Sequence, residues 1–256
     1  NQKAAWANFS ALEHLTGTAA PKLVRWAGIT KGATVLDVAC GTGVVALTAA
    51  RLGATVTGID LMPELVAGAE QNAALMGTPA KFWQGDVEAL PFADASFDVV
   101  VSQFGHMFAP RPDVAIKEML RVLKPGGTIA FATWPPELYT GRSFVLMGSY
   151  GPPPPPGVAP PMQWGDPNLV RERLGAAVSQ LAFHRDTMWF PTLSPQHCRL
   201  FAERNFGPAI KLFAHLDATD PGKAATLRRE LEALVACYFD DNRVRQDFLL
   251  SRAVKL

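Results

Sequence analysis

The chain has 256 residues, 48% of them hydrophobic and 18% charged, a globular balance that excludes a disordered chain and gives one large domain a full core. Lys and Arg number 24 against 23 Asp and Glu, a net charge of +1, so the basic footprint of a dedicated nucleic-acid binder is missing. The longest weakly polar stretch, residues 38–50, is too short to cross a bilayer, and no membrane partner is expected.

In chain order, residues 4–15 and 20–27 read as two short helices, the first carrying Trp6, Phe9, Leu12 and Leu15 about three apart, the second stopping at Gly28. From Thr34 the pattern changes to short Val- and Ile-rich runs alternating with helical segments. The expected strands are 34–40, 55–60, 81–86, 97–104 and 128–134, with helices at 44–52, 63–76 and 113–123. Strands that are nearly all apolar, interleaved with helices in this rhythm, predict an α/β fold with a doubly wound, mostly parallel sheet covered on both faces. After Trp134 the regularity lapses into Pro135-Pro136, five prolines at 152–156 and Pro160-Pro161, none compatible with helix interior or central strand. A helix at 168–178 and a strand at 182–190 follow. Ser194-Pro195 and Asp220-Pro221 each open a helix with a cap and a proline at the first turn. Residues 248–255 are the candidate closing strand. The expected division is an N-terminal helical lid (1–29), a cofactor-binding core (30–135), and a completion of the sheet with inserted lid helices (136–256), all in one structural domain.

The strongest local signal is VLDVACGTG at 35–43. A buried strand ends in a loop whose Gly41 and Gly43 let a ligand lie against bare main chain, and a helix N-terminus follows. TVTGID ends a second strand in Asp60, 17 residues beyond Gly43, placed to accept from both hydroxyls of a ribose. Residues 41–46 also satisfy the dinucleotide pattern G-x-G-x-x-G/A, so a nucleotide-cofactor oxidoreductase remains open. A pyrophosphate binder does not need an acid ahead of its glycines, however, and Asp37 stands there. That carboxylate suits a cationic amino group or a loop held by its own amides. A third acid, Asp86, ends the third strand.

Together, Asp37–Gly43, Asp60, Gly85-Asp86-Val87 with Leu90-Pro91-Phe92, Phe97-Asp98-Val99-Val100, and Leu120–Gly127 (LRVLKPGG) resemble the class I S-adenosylmethionine-dependent methyltransferases. Within that class they are most similar to the small-molecule group that includes the quinone-ring C-methyltransferases. The resemblance spans about two-fifths of the chain, in order, and implies a seven-stranded Rossmann-like sheet. It implies S-adenosyl-L-methionine as cofactor and S-adenosyl-L-homocysteine as product. The backbone of Ala39, Cys40, Gly41 and Gly43 would face the methionine part, Asp60 the ribose, Leu61 the adenine ring, and Asp86 the adenine amino group with Val87 beside it. Ser102 and Gln103, at the end of the fourth strand, join the cofactor set.

Each residue also has a plainer role. For Asp60 the minor alternative is a helix cap and for Asp86 a turn residue, whereas packing is the expected role of Cys40 and a turn launching the next strand that of 124–127.

In an open α/β sheet the reacting groups lie beyond the carboxyl ends of the strands, so the segment 102–108 is expected to line the active site. His106 is the candidate general base, against a structural histidine. His14 is expected to be solvated, and His184, His197 and His215 have no partners at metal-ligand spacing. Cys40, Cys198 and Cys237 form no CxxC pair, so no metal and no disulfide framework are expected, in keeping with a cytoplasmic setting. Trp6, Phe9, the proline-rich stretch with Trp164 and two C-terminal helices would wall an apolar pocket for a small-molecule acceptor. Trp164 serves equally as core or as a homodimer contact. A cofactor-binding protein without transferase activity is the third reading.

Overall fold

The computed structural model describes residues 13–153 and 158–256. The predicted helix at 4–15, with Trp6, Phe9 and Leu12, lies largely outside the described residues; its end is α1 (Glu13–Thr16), and α2 (Ala20–Trp26) follows. Then come β1 (Thr34–Val38), α3 (Val44–Ala50), β2 (Thr55–Asp60), α4 (Pro63–Met76), β3 (Lys81–Gln84), β4 (Phe97–Gln103), α5 (Pro112–Val122) and β5 (Leu123–Thr133). The distal half adds α6 (Tyr139–Tyr150), α7 (Pro167–Leu174), β6 (Val178–Pro191), α8 (Pro195–Asn205), α9 (Gly207–Thr219), α10 (Pro221–Ala236), β7 (Phe239–Asp240) and β8 (Arg243–Lys255).

The sheet runs β3-β2-β1-β4-β5-β8-β6, parallel from β3 to β5, with β8 antiparallel to both of its neighbours. It has eight strands rather than the expected seven, because the two-residue β7 pairs with the start of β8. The strand order reverses between β1 and β4, the point at which such sheets open a crevice at their carboxyl ends. The central strands are buried on both faces, with Val35, Leu36, Val100, Val101, Ile129 and Phe131 fully covered, which is why they read as continuous apolar runs.

Three departures from the sequence reading have physical causes. Lys124–Gly127 is a bulge inside β5 and not a turn before it: Phe97 pairs with Leu123 and Val99 with Thr128, and the residues between are accommodated by Gly126 at φ 75°. The closing strand starts at Arg243, five residues earlier than expected, because its charged first turn pairs with β6 from Pro191 onward. Helix α6 lies where the regularity lapses. It has no capping side chain at Leu138, and a glycine sits in its first turn. That glycine is required by packing, since a Cβ on Gly141 would lie 2.1 Å from the Pro135 carbonyl oxygen. Gly141→Ala is therefore expected to cost about 2–3 kcal/mol of unfolding stability, read by denaturant titration. A cost below half of that would mean α6 moves freely on the Pro135-Pro136 segment.

Candidate active site

The carboxyl ends of β1, β2 and β4 open into a cavity of about 580 Å³. One end is a polar cleft. The loop after β1 carries Ala39 (φ 52°), Gly41 (φ 55°) and Gly43 (φ 85°), three left-handed residues in five, so the chain folds back before α3 begins. Ala39 pays for that turn without glycine's freedom, a strain of the kind that collects at ligand sites.

Two acids hold this loop. Asp60, at the end of β2, accepts from the Gly41 amide and the Met62 amide, both at 2.9 Å. Asp37, within β1, accepts from the Ala46 amide of α3 at 2.9 Å. Asp37 is almost fully buried, and burial pushes its carboxyl up to about 8. The Ala46 hydrogen bond opposes that rise and the Asp60 charge adds to it. Asp60 is likewise raised by burial, despite its backbone amides. The Cys40 thiol, buried beside both acids, is raised as well, so it stays protonated and packs.

Of the residues singled out from sequence, Asp37, Ala39, Cys40, Gly41, Asp60, Leu61, Asp86, Val87 and Gln103 line the one cavity. Asp86 is exposed at its rim and accepts from the Glu88 amide at 2.9 Å; Leu61 is also exposed there. Gln103 donates from Nε2 to the Thr16 carbonyl at 2.8 Å, tying α1 to the sheet, while its Oε1 is buried with no donor among the described residues.

Three residues are not brought to the cavity. Gly43 turns its Cα toward Ala69 and Phe82, and serves the packing of the loop. Ser102 is fully buried, donates to the Val38 carbonyl at 2.7 Å and accepts from the His106 amide at 3.2 Å, so it splices β4 to β1. His106 is buried between Phe131 and Trp164, with ring centroids 4.8 and 4.7 Å away, and neither ring nitrogen has a hydrogen-bond partner among the described residues. Burial pulls its pKa down to about 3, with the Arg173 charge adding to the effect. The structure thus places the candidate base in the core. Trp164 is core too, 1% exposed, and neither a pocket wall nor a surface contact. His14 is exposed, as expected.

The other end of the cavity is an apolar chamber that the sequence reading only half located. Its walls are Phe108, Trp134, Tyr139, Phe144, Met147, Phe190, Phe201, Phe206 and Phe213, drawn from α6, α8, α9 and the link between the last two, the ends of β5 and β6, and the short helical turn after β4. Phe104 (φ 60°) and Trp134 stack at the junction with the cleft, 3.9 Å between centroids and 9° from parallel. Helices α8–α10 form the roof, and a ladder of charges clamps it: Arg199 bridges Glu203 and Glu232, and Arg228 bridges Glu203 and Asp217.

A family model described as a methyltransferase domain matches residues 36–131. An uncharacterized protein of Mycobacterium tuberculosis is 37% identical over 246 residues, covering 95% of this chain and 89% of that protein. The demethylmenaquinone methyltransferase of Staphylococcus aureus is 45% identical over 106 residues, 40% of this chain and 43% of that enzyme. The chain belongs to the class I S-adenosylmethionine-dependent methyltransferases. The methyltransferase fold is matched over 93% of this chain and 99% of a candidate methyltransferase from Bacillus halodurans, with a TM-score of 0.60 at 20% identity. This membership displaces the oxidoreductase reading of the glycine loop.

The residues of the methyltransferase cleft fit its cofactor. Carboxyl groups at three strand ends can accept from hydroxyl and amino groups, Gln103 Oε1 is a buried acceptor without a donor among the described residues, and Leu61 and Val87 offer apolar flanks.

Two outcomes follow from the buried groups. Asp37 titrates higher in the folded chain than its ordinary value of 3.8, so its contribution to stability is present below about pH 4 and is lost as pH rises through about 8. Asp37→Asn should therefore raise the melting temperature of the cofactor-free protein at pH 8.5 relative to wild type, with the gap closing at pH 5. An equal gap at both values would place the charge elsewhere. Replacing His106, whose ring nitrogens have no hydrogen-bond partners among the described residues, by Leu is expected to leave the melting temperature unchanged or higher, and a large drop would reveal a partner for the ring.

Proposed function

We propose that the protein transfers a methyl group from S-adenosylmethionine to a small organic acceptor held in the apolar chamber. The observation that carries this reading is continuity: cleft and chamber are one cavity, with the Phe104–Trp134 stack at their junction. In this assignment the backbone of Ala39–Gly41 faces the methionine part, Asp60 takes the ribose hydroxyls, Leu61 and Val87 flank the adenine, and Asp86 accepts from its amino group. When bound, the cofactor supplies a methyl made electrophilic by its sulfonium charge.

The chain's own contribution is placement and exclusion of water. The chamber's aromatic walls and clamped roof hold a flat apolar guest against the junction, and such positioning can lower a displacement barrier by several kcal/mol. Among the described residues the chamber offers no ready base. Burial raises both the Tyr139 hydroxyl and the Cys198 thiol, so both stay protonated at neutral pH, and Arg199 is already paired with two glutamates. The accepting atom must then bring its own nucleophilicity, as an easily ionised oxygen, a sulfur, or an electron-rich carbon. The Staphylococcus aureus relative takes its name from a quinone acceptor, and an aromatic-lined chamber suits such a ring.

Equilibrium titration tests the cofactor half. S-adenosylhomocysteine is expected to bind wild type while NAD(H) does not, and Asp60→Ala should weaken that binding about a hundredfold, since hydrogen bonds to a charged acceptor contribute about 1.5–3 kcal/mol each. Unchanged affinity in the variant would refute the ribose assignment. Methyl transfer to at least one member of a panel of phenols, quinols and thiols is the expected result of the turnover assay.

A further inference from the structure

Two polar side chains on the wall of the apolar chamber make no hydrogen bond among the described residues: Thr140, whose Oγ1 is sealed from the cavity, and Gln246. Gln246, on β8, is 7% exposed and lines the cavity, and its amide makes no hydrogen bond within the described residues. Its position follows from the strand. Alternate residues share a face, so Val244, Gln246 and Phe248 point the same way. Val244 packs in a cluster with Cys198 and Tyr139, whose hydroxyl lies 3.5 Å from the Cys198 sulfur. Phe248 meets Phe104 edge-on, 5.7 Å between centroids, beside the Trp134 stack. Gln246 therefore stands between the protonated Tyr139–Cys198 pair and the aromatic junction where cleft meets chamber.

A buried amide left unpaired is costly, and one carries both donors and an acceptor. A guest that presents a hydroxyl or carbonyl relieves that cost. A carboxylate guest needs a cation, and Arg199, the cation among the lining residues, is committed to Glu203 and Glu232. Resting on the methyl-transfer reading above, we propose that Gln246 is the specificity-determining anchor of the acceptor site. It selects an uncharged, flat, apolar molecule bearing a hydroxyl or carbonyl, and rejects its carboxylate counterpart. Gln246 holds and orients the guest; it moves no proton.

Three probes of one shape test this, titrated into the full chain saturated with S-adenosylhomocysteine: 2-naphthol, naphthalene and 2-naphthoate. Wild type is expected to bind 2-naphthol about five- to tenfold more tightly than naphthalene, with 2-naphthoate weakest. In Gln246→Leu the naphthol advantage should vanish while naphthalene and S-adenosylhomocysteine bind as before. Gln246→Met, which keeps the side-chain length, should behave alike and covers the case in which the leucine variant fails to fold. The proposal is overturned if either folded variant keeps the naphthol preference, if wild type prefers 2-naphthoate, or if wild type that holds S-adenosylhomocysteine takes none of the three. Failure of wild type to bind S-adenosylhomocysteine would instead strike the cofactor assignment.

Discussion

Everything in the cleft depends on the carboxylate of Asp60 reaching back to the Gly41 amide. That one hydrogen bond joins the tip of β2 to the loop after β1 and holds the left-handed turn at Ala39 and Gly41 against its own strain. Asp37 does the same from beneath, gripping Ala46 in the first turn of α3. Both carboxylates are buried where ionisation is disfavoured, so the loop is held by groups that sit under electrostatic tension before any ligand arrives.

The proximal half of the molecule was legible because its chemistry is local. Val- and Ile-rich runs mark strands buried on both faces, and β2 and β4 end in Asp60 and Gln103, which line the crevice. The bulge at Lys124–Gly127 and the early start of β8 were not legible, because cross-strand pairing decides them and no short window of sequence contains both partners.

The chamber was less legible still. Helix α6 hides behind Pro135-Pro136 and carries no capping signal, yet it contributes Tyr139, Phe144 and Met147 to the wall. His106 shows the opposite error. A histidine just past β4 looks catalytic by position, but the short helical turn there points it at Phe131 and Trp164, away from the cavity. Gln246 had no signal at all, since a glutamine in a charged stretch reads as solvent-facing until β6 and the roof cover it.

The roof itself, α8 to α10, leaves the sheet after Pro191 and returns through β7 at Phe239, and Pro191 and Arg243 are direct partners across β6 and β8. A segment whose two ends emerge side by side from a hydrogen-bonded ladder behaves as a cassette. Helices α8 to α10 can be lengthened or traded without shifting the register of β6 and β8. A change in the shape of the chamber therefore has a structural route that leaves the sheet as a constant chassis.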